Sequence, residues 1–326
     1  MYNNNSKFQE LYSTDLNDNG ITYDLAISIA QLNDNVKELI SQANDLRNSF
    51  KKNTVFTCGI INAKSGFCSQ DCAFCAQSIH YETGAETYPL IEEQQITQKA
   101  IQLADSGASR FSIVTSGFML NQQEIDIICK AVTKIKERTD LILCTSIGTL
   151  TPSMAIQLKQ SGVTYCHHNL ETARSFFHHI CSTHDYNDDI NTITIAREAG
   201  LKICSGGIMG LGENWQQRVE LAFSLKKLNV DSIPINFLNP IPGTALEKQP
   251  ILSPFEALKC ISLFRLIHPK KDIVICGGRE TTLKTEQHRL FLAGANGLMI
   301  GNYLTTLGRN IETDIEMIKT SGLTII

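Results

Sequence analysis

From Val55 onward the chain alternates between two kinds of segment. Short runs rich in β-branched and apolar residues fall at Val55–Ile61, Arg110–Thr115, Leu141–Thr145, Val163–His168, Leu201–Ser205, Ser232–Phe237, Asp272–Cys276 and Gly297–Ile300. Between most of them lie longer stretches with apolar residues at helical spacing: Glu92–Ser106, Glu124–Arg138, Ser153–Ser161, Ile190–Ala199, Gln216–Leu228, Pro254–Ile267 and Thr285–Ala293. Three of these helices run into a glycine that opens the next strand, in Asp105-Ser106-Gly107, Gln160-Ser161-Gly162 and Glu198-Ala199-Gly200. Glycine accepts the left-handed conformation that closes a helix. Eight strands with helices between them predict an α/β fold, a (β/α)8 TIM-type barrel whose sites gather at the C-terminal ends of the strands.

Upstream, Leu25, Ile27, Ile29, Leu32, Val36, Leu39 and Ile40 predict an N-terminal extension of one or two helices. Residues 1–23 are polar and rich in Asn and Asp, so they are expected to be loosely ordered. No Pro/Gly/Ser-rich linker splits the chain. The expectation is a single domain over 1–326, with N-terminal helices in 1–50, the barrel core in 54–301 and a tail helix in 302–326.

Composition narrows the class. Hydrophobic residues at 42% and charged ones at 19% describe a soluble globular protein. No apolar run reaches the roughly 18 residues of a membrane span, and the start carries neither a basic nor an apolar leader, so a cytoplasmic location is expected. A net charge of −4 without a basic run leaves no footprint for nucleic acid, and a small molecule is the expected partner. In such a compartment 11 cysteines point to metal ligation and buried thiols, since 326 residues bury a core without disulfides.

Cys68, Cys72 and Cys75 stand at spacings of four and three on the polar stretch Ser65-Gly66-Phe67-Cys68-Ser69-Gln70-Asp71-Cys72-Ala73-Phe74-Cys75-Ala76-Gln77. Three thiolates suit a cubane iron–sulfur cluster whose fourth iron stays open to a ligand. Structural zinc would want a fourth protein ligand nearby. Of the remaining cysteines, Cys58, Cys144, Cys166, Cys204 and Cys276 fall on five different predicted strands. Cys129 and Cys260 lie within helices and read as small apolar core residues. Cys181 is in a loop and has no assigned role. The pairs His167-His168 and His178-His179 suggest a metal, but adjacent residues on a strand point to opposite faces.

The three-cysteine spacing is that of the radical S-adenosylmethionine enzymes, and the blocks around it resemble the biotin synthase family. They are Asn62-Ala63-Lys64-Ser65-Gly66, Ala76-Gln77-Ser78, Tyr165 to Thr172, Lys202 to Ile208, Ile233-Pro234-Ile235-Asn236, Gly277-Gly278-Arg279-Glu280 and Ala293-Gly294-Ala295-Asn296. They arrive in the family's order and cover about Thr54 to Gly301. The resemblance implies a [4Fe–4S] cluster on Cys68, Cys72 and Cys75 that binds S-adenosylmethionine. One electron from flavodoxin or ferredoxin then splits the sulfonium, and the resulting 5′-deoxyadenosyl radical takes hydrogen from dethiobiotin. Sulfur comes from an auxiliary iron–sulfur cluster, and a homodimer is expected. It also implies cofactor contacts from Phe74, Asn169, Glu171, Gly206 and Ile208, with Phe74 against adenine and Glu171 accepting from the ribose hydroxyls. Catalytic positions are Asn169, Asn236 and Cys204; His167 shares the parity of Asn169 and should line the pocket. Arg279 reads equally as a site residue or as a structural arginine paired at the barrel mouth.

The chain departs from the family in its second cluster. Two of the usual three cysteines stand as Cys144 and Cys204, but the third position is Ser112 and the usual arginine is Val274. Cys276, two residues past Val274, shares its face, and Cys58 faces the same region from the first strand. Parity sets Cys166 outward. Cys58, Cys144, Cys204 and Cys276 would therefore converge from strands one, three, five and seven, and four thiolates suit a four-iron auxiliary cluster. A further departure is Asp189, where the family often carries an arginine for the methionyl carboxylate. Two other classes are open: a related barrel enzyme of maturase or mutase type that inserts no sulfur, and a non-catalytic iron–sulfur sensor.

Overall fold

The computed structural model describes residues 19–32 and 36–326. The expectation of a loosely ordered start falls mainly on residues 1–18, outside the described residues. Two helices come first, α1 (Tyr23–Ala30) and α2 (Val36–Lys51), with Thr22 capping α1 through the backbone N–H of Leu25. The barrel then begins: β1 (Thr54–Lys64), α3 (Glu93–Asp105), β2 (Arg110–Thr115), α4 (Gln122–Arg138), β3 (Ile142–Ser146), α5 (Pro152–Ser161) and β4 (Tyr165–His167). Next are α6 (Arg174–Phe177), α7 (Tyr186–Glu198), β5 (Lys202–Cys204), β6 (Gly207–Met209), α8 (Trp215–Lys227), β7 (Ser232–Phe237), α9 (Pro254–Ile267) and β8 (Asp272–Ile275). The chain ends with α10 (Arg279–Leu283), α11 (Arg289–Leu292), β9 (Gly297–Met299), α12 (Ile311–Thr320) and β10 (Thr324–Ile325).

All named strand pairings are parallel, and β1 pairs with both β2 and β9, so the sheet closes on itself. β5 and β6 are two halves of one barrel strand, which gives eight staves. The interruption falls opposite Pro234 of β7, which has no N–H to continue the ladder. Helix starts follow their sequences. Asn121, Asn214 and Ser253 form capping boxes with Glu124, Gln217 and Glu256, and Pro152 and Pro254 sit in the first helical turn. Gly162 ends α5 in the left-handed conformation.

The main apolar core lies between the helices and the outward side chains of the strands, among them Phe111, Leu143, Cys166, Ile203, Ile233 and Ile275. Inward side chains alternate with these and make the barrel interior. At its floor Arg110 stacks 3.5 Å over the Phe56 ring and 5.1 Å over Tyr165, and binds Asp272 at 2.6 Å. Lys51 reaches the other oxygen of Asp272 at 2.8 Å.

Three details differ from the periodicity. The helix predicted over Thr285–Ala293 is broken: Lys284 adopts φ 50°, a single 3₁₀ turn covers Lys284–Glu286, and α11 spans only Arg289–Leu292. The break carries Gln287 back to the buried Arg279, with which it hydrogen bonds. In the tail, β10 adds to the start of β1 through Thr54↔Thr324 and Val55↔Ile325, a strand that two residues of sequence do not announce. α7 begins at Tyr186, four residues before the apolar repeat, because Asp185 caps it.

Candidate active site

The loop after β1 is fixed by its backbone. Ser65 and Tyr88 exchange N–H to carbonyl bonds of 3.1 and 3.0 Å, the Cys68 N–H donates to Gln77 at 3.1 Å, and the Ile79 N–H donates to Cys68 at 2.9 Å. Gly66 and Phe67 both have positive φ, 75° and 55°. Gly66 also admits no side chain, since a Cβ would stand 2.3 Å from Thr87 Cγ2. The turn brings Cys68, Cys72 and Cys75 onto one cavity of about 210 Å³, with Phe74, Asn169, Glu171, Cys181, His184 and Asp189 among its other walls. Burial pushes the Cys75 thiol up to about 11. A bound cation reverses such a shift, so three thiols around one space fit an iron–sulfur cluster.

A deeper cavity of about 310 Å³ fills the barrel axis below. Phe74, Cys75, His167, Asn169 and Glu171 line both spaces, so the two are contiguous. Cys58, Cys144, Cys204 and Cys276 all face the deep cavity, together with Ser112 and Val274. Cys166 does not: it packs in the outer core, as its parity requires. Burial pushes the Cys58 thiol up to about 12, and Cys204 pushes it further the same way while Arg110 opposes. Cys144 shifts the Cys204 thiol down, with Ser232 and Arg110 acting the same way against burial, whereas Cys204 and burial shift Cys144 strongly up. Cys276 is shifted up mainly by burial. Ser112 Oγ is buried with no hydrogen-bond partner among the described residues, the mark of a polar group placed for something else.

The remaining predicted residues form a connected wall. His167 Nε2 lies 3.0 Å from Asn169 Oδ1, and burial lowers its imidazole to about 4, so it is neutral. Asn169 Nδ2 donates to Glu171 Oε2 at 3.3 Å, while Asn169 Oδ1 accepts from the Gly206 N–H at 3.1 Å. Glu171 has φ 59°, and burial, then Asp189, raises its carboxyl to about 8. Asn236 is held by backbone: its Oδ1 accepts from the Gly277 N–H at 3.0 Å and its Nδ2 donates to the Gly207 carbonyl at 3.4 Å. Phe74 and Ile208 pack together with Leu211 and Leu238.

Gly206 answers to a constraint other than ligand approach. A Cβ there would sit 1.9 Å from the Pro234 carbonyl oxygen, so the glycine serves close strand packing, and Gly206 is not among the cavity-lining residues. Arg279 resolves to its structural reading. It is fully buried and bonds Asp314 of α12 at 2.5 Å and Gln287, away from both cavities. Asp189 is buried against two imidazoles, His168 Nε2 at 2.8 Å and His184 Nε2 at 3.7 Å.

Sequence reasoning missed three features. Arg110 and Tyr165 form the cavity floor; the parity of Arg110 with Ser112 was the available signal. Tyr303, Leu304, Thr305 and Thr306 close one side of the mouth from a stretch without periodicity. Cys181 lies 3.9 Å from Cys72, sulfur to sulfur, a meeting across 109 positions that no local pattern reveals.

A closed parallel barrel with a three-thiol loop over the C-terminal ends of its strands is the architecture of a radical S-adenosylmethionine enzyme. Residues 63–225 match the Radical SAM superfamily, and residues 234–324 match the Biotin and Thiamin Synthesis associated domain. The chain is 53% identical over 288 residues to the biotin synthase of Syntrophus aciditrophicus (strain SB), covering 88% of each. It is 49% identical over 305 residues to that of Nitratidesulfovibrio vulgaris (strain DP4), covering 93% of this chain and 84% of the relative. Among solved structures, methylornithine synthase superposes with a TM-score of 0.81 at 18% identity over 98% of this chain and 97% of that one. A maturase of the [FeFe]-hydrogenase superposes at 0.84 with 16% identity, covering 98% of this chain and 75% of that one; both show the fold alone. The chain belongs to the biotin synthase family. The sensor and maturase readings give way to that assignment.

Proposed function

We propose that this chain forms biotin from dethiobiotin by radical sulfur insertion, with a [4Fe–4S] cluster on Cys68, Cys72 and Cys75 and a four-iron auxiliary cluster on Cys58, Cys144, Cys204 and Cys276 as the sulfur source. The single observation that carries the second half is the convergence of those four thiols on one cavity contiguous with the three-thiol loop. They come from the first, third, fifth and seventh staves, and alternate strands supply common layers in such barrels.

When bound, the first cluster and S-adenosylmethionine supply the one-electron chemistry that takes hydrogen from unactivated carbon. The chain's residues orient and insulate. Phe74 and Ile208 offer an apolar slot for the adenine, and Glu171 accepts from the ribose diol. Asn169, bonded to His167, Glu171 and the Gly206 N–H, ties the cofactor wall to the substrate wall. Asn236, anchored by Gly277, presents its amide edge to the substrate. Arg110 beneath the thiols balances part of the negative charge that four thiolates bring. Val274 offers no ligand where an arginine would stand, and Cys276 replaces it on the same face.

The chain is read as one barrel domain acting as a cytoplasmic homodimer, reduced by flavodoxin or ferredoxin; the family supports this reading. Replacing Cys276 or Cys58 with alanine tests the ligand set. Second-cluster iron is expected to fall in each variant, and unchanged iron would remove that residue from the site.

A further inference from the structure

Two donor side chains without a part in the chemistry proposed above, Cys181 and His184, meet Cys72 of the three-thiol loop. Cys72 Sγ, Cys181 Sγ and a ring nitrogen of His184 lie mutually within 4.8 Å. Cys72 Sγ is 3.9 Å from Cys181 Sγ, and Cys181 Sγ is 3.1 Å from His184 Nδ1. Two thiolates bound at about 2.3 Å in a tetrahedron stand about 3.8 Å apart, so the sulfur pair already has the spacing of one zinc-like ion.

The surroundings are built for a fixed ligand. Asp71 clamps the loop that carries Cys181 onto the three-thiol loop, accepting from the N–H groups of Ser182 at 2.9 Å and Thr183 at 3.2 Å. The Ala73 N–H donates to the Ile180 carbonyl at 2.8 Å and adds a second stitch. On the far side of the imidazole, Asp189 Oδ1 stands 3.7 Å from His184 Nε2. That oxygen hydrogen bonds His168 Nε2 at 2.8 Å and stands too far from His184 for a hydrogen bond, so its support of the imidazole is electrostatic: it favours a proton on the outer nitrogen and leaves the inner one to an ion. Gln70 Oε1 lies 3.0 Å from His184 Nδ1 and would yield to the ion.

We propose that, in the chain free of its cluster, Cys72, Cys181 and His184 bind a single thiophilic divalent ion of the zinc or ferrous class. The two thiols release their protons to solvent on binding, and no electron is transferred. Because Cys72 belongs also to the three-thiol loop, this ion and the loop cluster exclude each other. The site would hold the loop in a metal-bound form before loading, or after the cluster is lost.

The test uses the full-length chain stripped of iron, with zinc and cobalt as the probes. The variants are Cys181→Ser, His184→Gln, Asp189→Asn and the pair Cys68→Ala/Cys75→Ala. Wild type and the Cys68/Cys75 pair are expected to bind one more equivalent of zinc than Cys181→Ser, and to show a stronger sulfur-to-cobalt absorption. Asp189→Asn should bind that equivalent about ten- to a hundredfold more weakly. Should Cys181→Ser fail to fold by circular dichroism, His184→Gln carries the same comparison. A second readout is the rate at which the loop cluster assembles. Bound zinc should slow assembly in wild type and not in Cys181→Ser. Zinc kept by Cys181→Ser and His184→Gln but lost from the Cys68/Cys75 pair would overturn the site, because the ion would then belong to the loop thiols alone. Absence of that extra equivalent from wild type would overturn it equally.

Discussion

Cys276 and Val274 stand two positions apart at the end of β8 and both face the deep cavity. The alternation of a strand makes one position equivalent in direction to the other, so on the proposed assignment a ligand missing at the first is supplied from the second, one step up the barrel axis. Cys58 does the same from β1, where it is paired in register with Arg110. The expectation is that Cys276→Ala and Cys58→Ala each lose most of the second-cluster iron while the loop cluster stays, as read by iron analysis and Mössbauer spectroscopy. Cys166→Ala, which alters an outward thiol as buried as Cys276, should leave that iron unchanged.

The proposed role of Glu171 predicts that cofactor binding depends on pH. Burial and Asp189 raise its carboxyl to about 8, so near neutrality much of it is protonated. If it accepts from the ribose hydroxyls, S-adenosylmethionine should bind the reconstituted enzyme more tightly as pH rises through about 8. Equilibrium binding across that range checks this. Glu171→Gln should bind more weakly, by roughly tenfold, and lose the dependence.

Asp272 links acid stability to the barrel floor. Burial alone would raise its pKa, but Lys51 and Arg110 outweigh that and hold it at about 2. A carboxyl depressed below its unfolded value of about 3.9 adds stability above that pH and loses it as pH falls toward about 2. The contribution is about 2 kcal/mol at neutrality. Urea unfolding should show Asp272→Asn destabilised by that order at pH 7, with the gap narrowing by more than half near pH 2.5.

Arg279 and Asp314 test a buried pair. Both side chains are 0% exposed and meet at 2.5 Å. Arg279→Met would strand a buried carboxylate and cost about 3–5 kcal/mol, whereas Arg279→Met with Asp314→Leu should recover most of that. Chemical denaturation of the three chains measures it.

The barrel and the direction of its inward thiols were legible because both are periodic. Strand alternation placed Cys58, Cys144, Cys204 and Cys276 on one side and Cys166 on the other, and the structure has them so. What was illegible depended on partners distant in sequence. The break at Lys284 follows from a buried guanidinium that needs Gln287, and the gap between β5 and β6 follows from a proline on the neighbouring strand. Gly206 suggested close ligand approach, yet its constraint is the Pro234 carbonyl 1.9 Å from where a Cβ would be. The meeting of Cys72 with Cys181 is of the same kind: a loop folded onto a loop by Asp71.

Anaerobic iron and sulfide analysis with Mössbauer spectroscopy on a Cys68→Ala/Cys72→Ala/Cys75→Ala chain decides whether one barrel holds two separate clusters. About four irons in a cubane are expected to remain, held by the barrel thiols. An iron-free chain would contradict it, leaving Cys58, Cys144, Cys204 and Cys276 as buried thiols with no sulfur to give.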